Sequence, residues 1–205
     1  MVTKRTPAKK AAVKRPARNS PVRKAAAKRT PSAAGNSPDA VAFLMKDHRD
    51  AKRLFKRFET LEKNSEKESV ALTVCKMLTV HTTIEEEIFY PACRKAGLER
   101  DEMDEADIEH ASAKDLIAQI ESMDAGESHY DAKVKVLGEY IDHHVKEEET
   151  SMFKKARRLK LDLNEIGRQL KLRAEDLKSE NGLTPDRGLF AKATDKFVEL
   201  VGIGT

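Results

Sequence analysis

The sequence has few of the features that mark the common enzyme and membrane classes. It contains two cysteines, Cys75 and Cys93, and no tryptophan in 205 residues. These cysteines do not form the Cys-x-x-Cys spacing of a zinc ribbon, and the chain has no glycine-rich phosphate loop and no nucleophile elbow. It has no apolar run long enough to cross a bilayer and no early apolar segment that resembles a signal peptide. We therefore expect a cytoplasmic protein with two reduced thiols, a regulatory disulfide being the other reading.

Acidic residues are missing from the first 38 residues, which contain eleven Lys and Arg. Residues 39–205 contain the other 28 of the 39 Lys and Arg and all 35 Asp and Glu, so their net charge is −7. The basic arm, residues 1–38, also lacks aromatic residues, so it cannot bury enough apolar surface to offset the entropy cost of ordering. We expect it to be disordered and to bind nucleic acid without sequence preference. A solvated tail, or one that folds back on the acidic part, is the alternative.

Two segments share the pattern His-x-x-x-Glu-Glu, beginning at His81 and at His144. Residues four apart lie on one face of a helix, so His81 lies beside Glu85, and His144 beside Glu148. Both pairs fall on apolar stripes. Burying an imidazole and a carboxylate there is costly without a partner, and a shared metal ion would supply one. The adjacent His143 points about 100° away, so we expect it at the edge of the site or at the surface.

Single histidines at His48 and His110 lie on two further apolar stripes. A lone histidine of this kind is ordinarily a core residue bonded to a neighbour, but here four recur at separations of 33, 29 and 34 residues. A helix of about twenty residues plus a short loop uses about that much chain, so the four return to one level of an up-down-up-down bundle. Imidazole and carboxylate together suit iron, manganese or zinc.

Four motifs surround these residues: Lys46-Asp47-His48, His81-Thr82-Thr83-Ile84-Glu85-Glu86, Glu109-His110, and His143-His144-Val145-Lys146-Glu147-Glu148-Glu149. Together they resemble the hemerythrin-like family, specifically the bacterial domains named for their His-His-Glu ligands, over about residues 40–180. The resemblance implies an all-α four-helix bundle with a non-haem di-iron centre that binds dioxygen. It implies bridging by Glu85 and Glu148, with terminal ligands His48, His81, His110 and His144.

The sequence departs from the oxygen-carrying hemerythrins at Lys114, where they have a second histidine one turn after the third-helix ligand. The missing histidine would leave one iron more open, or completed by water or a carboxylate. Lys114 either reaches inward as a proton donor or extends to solvent. We expect a module that binds or senses oxygen, related oxidants or iron. The alternatives are a di-iron peroxidase or oxidase, and a nucleic-acid-associated protein in which the bundle is mainly structural.

The predicted organisation is the arm (1–38), the bundle with an extra helix (39–180) and a tail of unknown role (181–205). Ser37 and Pro38 predict the N-cap and first position of the first helix, and Pro91 predicts a kink or an end in the second. An amphipathic helix over 163–178 is expected to pack outside the bundle. We expect an exposed acidic face formed by Glu86, Glu87, Glu147 and Glu149, with metal contact by Glu86 or Glu149 as the alternative.

Overall fold

The computed structural model describes residues 38–183, which form helices and contain no strand. In chain order the elements are α1 (Ala40–Glu59), α2 (Asn64–Ile84), a π turn (Glu85–Phe89), α3 (Tyr90–Lys95), α4 (Arg100–Glu121), α5 (Tyr130–Glu147), a second π turn (Glu148–Met152), α6 (Phe153–Ala156) and α7 (Leu163–Glu180). The predicted fold class, an all-α bundle with an extra C-terminal helix, is confirmed. The predicted basic arm and most of the predicted tail lie outside the described residues.

The four long helices α1, α2, α4 and α5 form the bundle. α1 packs against α2 and α5, and α4 packs against the same two helices. Each long helix therefore has two neighbours, as expected for helices that run alternately up and down through short connections. The helices of residues 38–183 include none that is both long and apolar enough to span a membrane.

The buried side chains form two apolar clusters, one towards each end of the bundle. The first includes Leu44, Ile84, Met103, Met152 and Leu170. The second includes Phe58, Val74, Ile117, Tyr130 and Leu137. Helices α1, α2 and α4 contribute to both clusters, whereas α5 contributes to the second and the turn and helix α6 that follow it contribute to the first. The four predicted ligand histidines lie in sequence near the change from one cluster to the other. The polar site is therefore enclosed by apolar side chains above and below it.

Helix α1 begins two residues later than the sequence indicated. Its N-cap is Asp39, whose carboxylate accepts a hydrogen bond of 2.8 Å from the backbone N–H of Ala42. The prediction that Pro38 occupies the first helical position is wrong, because the helix starts at Ala40; Ser37, the predicted N-cap, lies outside the described residues. Asp39 also accepts two hydrogen bonds from Arg157, so its carboxylate joins the start of the bundle to the segment that follows α6.

The amphipathic helix α7 packs on α1, on α2 and on the first π turn. Its buried face, with Ile166, Leu170, Ala174 and Leu177, completes the first apolar cluster. Gly167 permits the closest approach: a Cβ at this position would lie 2.6 Å from the carbonyl oxygen of Pro38 and 2.8 Å from the amide nitrogen of Ala40. The helix is thus docked by backbone contact as well as by apolar side chains.

The two π turns interrupt long helices at equivalent places. In the first, the backbone N–H of Tyr90 donates to the carbonyl of Glu85, and in the second Phe153 donates to Glu148, each five residues back. The sequence indicated that Pro91 kinks or ends its helix, whereas the helix continues to Lys95 and the irregularity precedes the proline. Because the second π turn forms without a proline, Pro91 alone does not cause this geometry. Single π turns inside α-helices are frequent at functional sites.

Candidate metal centre

Six buried side chains meet at mid-height in the bundle, and they are the six that the sequence indicated: His48, His81, Glu85, His110, His144 and Glu148. The histidines come from the four long helices, and each glutamate is the first residue of a π turn. Glu85 and Glu148 are almost completely inaccessible to solvent. Each of the four long helices therefore contributes one imidazole, and the four imidazoles surround two carboxylates.

The first set of donor atoms is formed by His48 and His81. Their Nε2 atoms lie 3.1 Å apart. The Nε2 of His48 is 3.2 Å from Oε2 of Glu148, and that of His81 is 3.2 Å from Oε2 of Glu85. One potential ligand atom from each of these four residues lies within 4.8 Å of the others, which is close enough for a single ion.

The second set is formed by His110 and His144, whose Nε2 atoms also lie 3.1 Å apart. Oε2 of Glu85 is 3.5 Å from the Nε2 of His110, and Oε2 of Glu148 is 3.6 Å from the Nε2 of His144. Both glutamates thus face both histidine pairs. This arrangement is suited to two metal ions that share two carboxylates.

Carboxylates also lie beside the outer nitrogen, Nδ1, of every one of these histidines. His48 faces Glu149 at 3.0 Å, His110 faces Glu86 at 3.1 Å, and His144 faces Glu109 at 2.7 Å. Asp47 lies 3.8 Å from the Nδ1 of His81, beyond hydrogen-bond distance. A carboxylate at Nδ1 holds the proton there and leaves the lone pair of Nε2 directed inward, the arrangement found around metal-bound histidines.

The sequence analysis did not identify these four carboxylates as partners of the Nδ1 atoms. The prediction that Glu86 and Glu149 belong to an exposed acidic face is wrong, since both are about one-third exposed and contact ligand histidines. A signal was present: an acidic residue directly precedes His48 and His110, and another directly follows Glu85 and Glu148. Glu87 and Glu147 do lie outside the site, paired with Arg173 and His143.

Lys114 neither enters the site nor extends freely into solvent. Its Nζ donates hydrogen bonds of 2.7 and 2.6 Å to the two carboxylate oxygens of Glu86. Since Glu86 also faces the Nδ1 of His110, Lys114 contributes to the orientation of that imidazole from outside. His143, by contrast, is 62% exposed and faces Glu109 and Glu147, so the choice of His144 as the inward histidine agrees with its position.

Two aromatic rings cover the histidines on one side. Tyr90 stacks on His110 with ring centroids 5.3 Å apart, and Phe153 stacks on His48 at 5.6 Å. The Tyr90 hydroxyl donates a hydrogen bond of 2.9 Å to Oε1 of Glu148 and lies 3.2 Å from the Nε2 of His110. Burial and the nearby Glu148 carboxylate raise the pKa of Tyr90 well above its ordinary value. The direction of this hydroxyl was not predicted from the sequence.

The electrostatics of the site favour a bound cation. Both carboxylate oxygens of Glu85 and the Oε2 of Glu148 have no hydrogen-bond partner among residues 38–183, although they are fully buried. Burial, followed by repulsion from Glu148, raises the pKa of Glu85 well above its ordinary value. Burial alone would lower the pKa of the His144 imidazole. The Glu148 and Glu109 carboxylates have the larger combined effect, so the pKa of His144 is raised. Unpartnered carboxylates with inward-facing imidazoles fit metal ions and fit no apolar or neutral ligand.

A small cavity of about 10 Å³ adjoins the first histidine pair. Its walls are mainly apolar and include Ala51, Met77, Leu78, Ile141 and Val145, with His48, His81 and His144 on the side of the site. A volume of this size is about that of one small molecule such as water. The cavity therefore offers a small, mainly apolar space beside the candidate ligands.

Comparison with known proteins agrees with this geometry. The model of the hemerythrin HHE cation binding domain matches residues 39–156, more than half of the chain. A crystal structure of a hemerythrin HHE cation binding domain-containing protein from Mycobacterium kansasii has a similar fold. Its TM-score is 0.62 at 22% sequence identity, and the match covers 70% of this chain and 89% of that one. No curated protein sequence matches the chain.

Proposed function

Because the chain belongs to the hemerythrin HHE cation binding domain family, whose model covers residues 39–156, we propose that its bundle binds two non-haem iron ions and responds to oxygen, related oxidants or iron supply. His48 and His81 would hold the first ion, His110 and His144 would hold the second, and Glu85 and Glu148 would supply carboxylates to both. Bound iron would supply electrons for reaction with a small oxidant; manganese and zinc suit the same donors.

One observation carries this proposal: two Nε2 pairs, each 3.1 Å apart, face two carboxylates, and three of the four carboxylate oxygens have no hydrogen-bond partner among residues 38–183. Nδ1 carboxylates fix the direction of the imidazoles, so the donor atoms are arranged before any ion binds. Neutral imidazoles cannot hydrogen-bond to each other through two unprotonated Nε2 atoms. A cation between them removes this conflict and neutralises the buried carboxylates.

The apolar surroundings define what else can reach the site. The two apolar clusters exclude bulk water from above and below, and the cavity beside His48 and His81 has space for about one molecule of the size of water. Larger substrates have no comparable space there. This favours a small oxidant as the partner of the bundle.

The decisive experiment is metal analysis after anaerobic iron loading, followed by the visible spectrum as air is admitted and removed. We expect about two irons per chain and a spectrum that changes with oxygen. His143→Ala is the matched control, because this histidine adjoins His144 yet faces outward. Absence of iron, or stoichiometric zinc in its place, would leave the bundle standing and contradict the di-iron proposal.

An enzyme of the di-iron peroxidase or oxidase type is the second candidate, and the small apolar cavity beside the candidate ligands is compatible with it as well as with a sensor. Sustained turnover of peroxide or oxygen with a supplied reductant distinguishes the two. A sensor reacts once per oxidation cycle, whereas an enzyme continues until the reductant is consumed. His81→Ala serves as the inactive control.

We also propose that the basic arm, residues 1–38, attaches the module to nucleic acid. Its eleven Lys and Arg are unopposed by any acidic residue, whereas residues 39–205 are acidic. Binding by counterion release predicts an affinity that falls steeply with salt and is insensitive to sequence. Removal of residues 1–38 should abolish DNA binding, and unchanged binding would contradict this role.

A further inference from the structure

A third group of metal-ligating side chains lies on the outside of the bundle, where α4 meets α5. It consists of Glu109, His143 and Glu147, here called the surface triad, and one donor atom from each lies within 4.8 Å of the others. Resting on the proposed function, we propose that the surface triad binds hydrated ferrous iron from solution and passes it inward to the second histidine pair.

The sequence of α5 contains the pattern for this site. His143 and Glu147 are four residues apart, so they lie on one face of the helix. They form a third His-x-x-x-Glu pair, displaced by one residue from His144 and Glu148. The displacement turns the pair by about 100°, from the interior of the bundle towards its surface. Helix α5 thus presents an imidazole and a carboxylate inward, and a second imidazole and carboxylate outward.

The distances within the surface triad are suited to one ion. The Nε2 of His143 lies 3.3 Å from Oε1 of Glu147 and 3.8 Å from Oε1 of Glu109. Bonds of about 2.1 Å from one metal place adjacent ligand atoms about 3 to 3.5 Å apart. Small movements of His143 and Glu147, whose side chains are 62% and 43% exposed, close the remaining difference. Water would complete the coordination of an ion with three protein ligands, and this suits exchange rather than storage.

Neither carboxylate of the surface triad forms an ion pair with a lysine or an arginine of residues 38–183. Glu109 and Glu147 form ion pairs with histidines alone. By contrast Asp142, which directly precedes His143, pairs with Lys52. The carboxylates of the triad therefore have no fixed cation that an incoming ion must displace, and imidazole with carboxylate suits ferrous iron.

Glu109 joins the surface triad to the metal centre. Its Oε1 faces His143, and its Oε2 accepts the hydrogen bond of 2.7 Å from the Nδ1 of His144. The exposed fraction of the side chains falls from 62% at His143 to 11% at Glu109 and 4% at His144. One carboxylate and one imidazole ring therefore separate the triad from the second pair. In the proposed transfer these two side chains move, and the ion exchanges outer donors for inner ones without a change of oxidation state.

The other outer carboxylates of the centre are less suited to bind an incoming cation. Glu86 holds the ammonium group of Lys114 at 2.6 Å, and this charge repels a cation. Glu149 belongs to no group of three donors within residues 38–183, and Asp47 is buried. The surface triad combines several donors, unpaired carboxylates and access from solvent.

Manganese binding tests whether the site exists. A given set of donors binds Mn²⁺ more weakly than Fe²⁺, so Mn²⁺ should not displace iron from the filled centre. We expect the iron-loaded protein to bind one additional Mn²⁺, counted by the loss of the free-ion signal in electron paramagnetic resonance. Both His143→Ala and Glu147→Gln should lose this ion. Glu139→Gln, the matched control, removes an exposed carboxylate about two turns earlier on α5 and should keep it.

The rate of iron uptake tests the delivery. Metal-free protein is mixed anaerobically with Fe²⁺, and a chelator added after increasing times counts the iron that has not entered. Sites that concentrate an ion raise its association rate by about 10- to 10³-fold, so both variants should fill about tenfold or more slowly than Glu139→Gln. They should still reach two irons, because the inner ligands are intact. Gel filtration removes the exchangeable outer ion before this final count.

Three results would overturn the proposal. They are retention of the additional Mn²⁺ in folded His143→Ala and Glu147→Gln, its loss in Glu139→Gln, and equal rates of iron uptake in all variants. Circular dichroism checks the folding, which substitutions at these exposed side chains should leave intact. Failure of the proposed function is recognised separately, because the unmodified protein would then take up no iron. Delivery would fail with it, whereas comparison of Mn²⁺ binding among the variants would still decide whether the surface triad binds a cation.

Discussion

His144 and Glu109, on the facing helices α5 and α4, are joined by a hydrogen bond of 2.7 Å from Nδ1 to Oε2. The carboxylate accepts this bond, so it fixes the proton on Nδ1 and the lone pair on Nε2. Removing such a partner typically lowers metal affinity 10- to 100-fold. Glu109→Gln should therefore weaken metal binding by about this factor, as measured by competition with a chelator. Glu105→Gln is the control, because Glu105 lies one turn earlier on the same helix and is exposed. Equal metal affinities in the two variants would show that Glu109 does not support metal binding through His144.

Removal of a ligand histidine should cost metal but little structure. In His81→Ala the bound iron should fall from about two per chain to one or fewer, because an ion loses a donor that no neighbour replaces. The apolar clusters above and below remain, so the helical circular dichroism should be nearly unchanged. His143→Ala should retain both irons. Two irons in the His81→Ala protein would contradict the ligand assignment.

A hydroxyl added at Phe153 should restrict access to the ion that is proposed to lie between His48 and His81. Phe153 stacks on His48 with an interplanar angle of 9°, so Phe153→Tyr places an oxygen near the first pair as Tyr90 does near the second. We expect iron content to be kept while azide, used as a small anionic probe, binds at least tenfold more weakly in spectroscopic titration. Tyr140→Phe, at a residue outside the site, should bind azide normally. Undiminished azide affinity in Phe153→Tyr would show that the probe binds away from His48.

Gly167 should be required for the docking of α7. A methyl group there would lie 2.6 Å from the Pro38 carbonyl oxygen, so Gly167→Ala must displace either α7 or the start of α1. Overpacking of this kind costs about 1–3 kcal/mol, outweighing the helix-propensity advantage of alanine. Lys171→Ala, on the exposed face of the same helix, should change the free energy of unfolding by about 0.5 kcal/mol or less. Urea unfolding of both variants measures the difference, and a stabilised Gly167→Ala protein would refute the close contact.

The buried thiols should make the metal-free protein sensitive to alkali. Burial raises the pKa of both Cys75 and Cys93 from 9.0 to about 12. A group whose pKa is raised by folding contributes its full stabilisation below pH 9, and loses it as the pH rises towards 12. Each thiol then contributes a decline of at most about 1.4 kcal/mol per pH unit.

Urea unfolding at pH 8, 9.5 and 11 measures this decline. The double variant Cys75→Ala/Cys93→Ala should be less stable at pH 8, because it loses core volume, yet its stability should fall less steeply with pH. Parallel slopes would show that other groups, such as Tyr130, account for alkaline unfolding. Tyr130 titrates in the same range, since burial raises its pKa to about 12.

Much of the fold could be predicted from helical periodicity alone. Apolar residues at intervals of three and four define the buried face of each long helix, and His48, His81, His110 and His144 lie on those faces. The equal separation of the histidines then places them at one level. These are local properties of the chain, so they can be read without knowledge of the neighbouring helices.

The partners of the histidines could not be predicted in the same way. Glu109 meets His144 across 35 positions of sequence, and Glu149 meets His48 across 101. Such pairs depend on how two helices are rotated against each other, which periodicity does not determine. Lys114 illustrates the consequence: the sequence offered inward or outward directions, and the side chain instead meets Glu86 on the first π turn.

The π turns have a consequence for how this site can change. Five residues after a glutamate, an uninterrupted α-helix has rotated to a point about 140° away, which would carry Tyr90 and Phe153 off the faces of Glu85 and Glu148. The wider turns reduce that angle and bring both rings over the imidazoles. The position of each ring in the site therefore depends on the backbone geometry between the glutamate and the ring, as well as on the identity of these two residues. If either turn became a regular helix of the same length, its ring would rotate out of the site, while every candidate ligand remained in the chain.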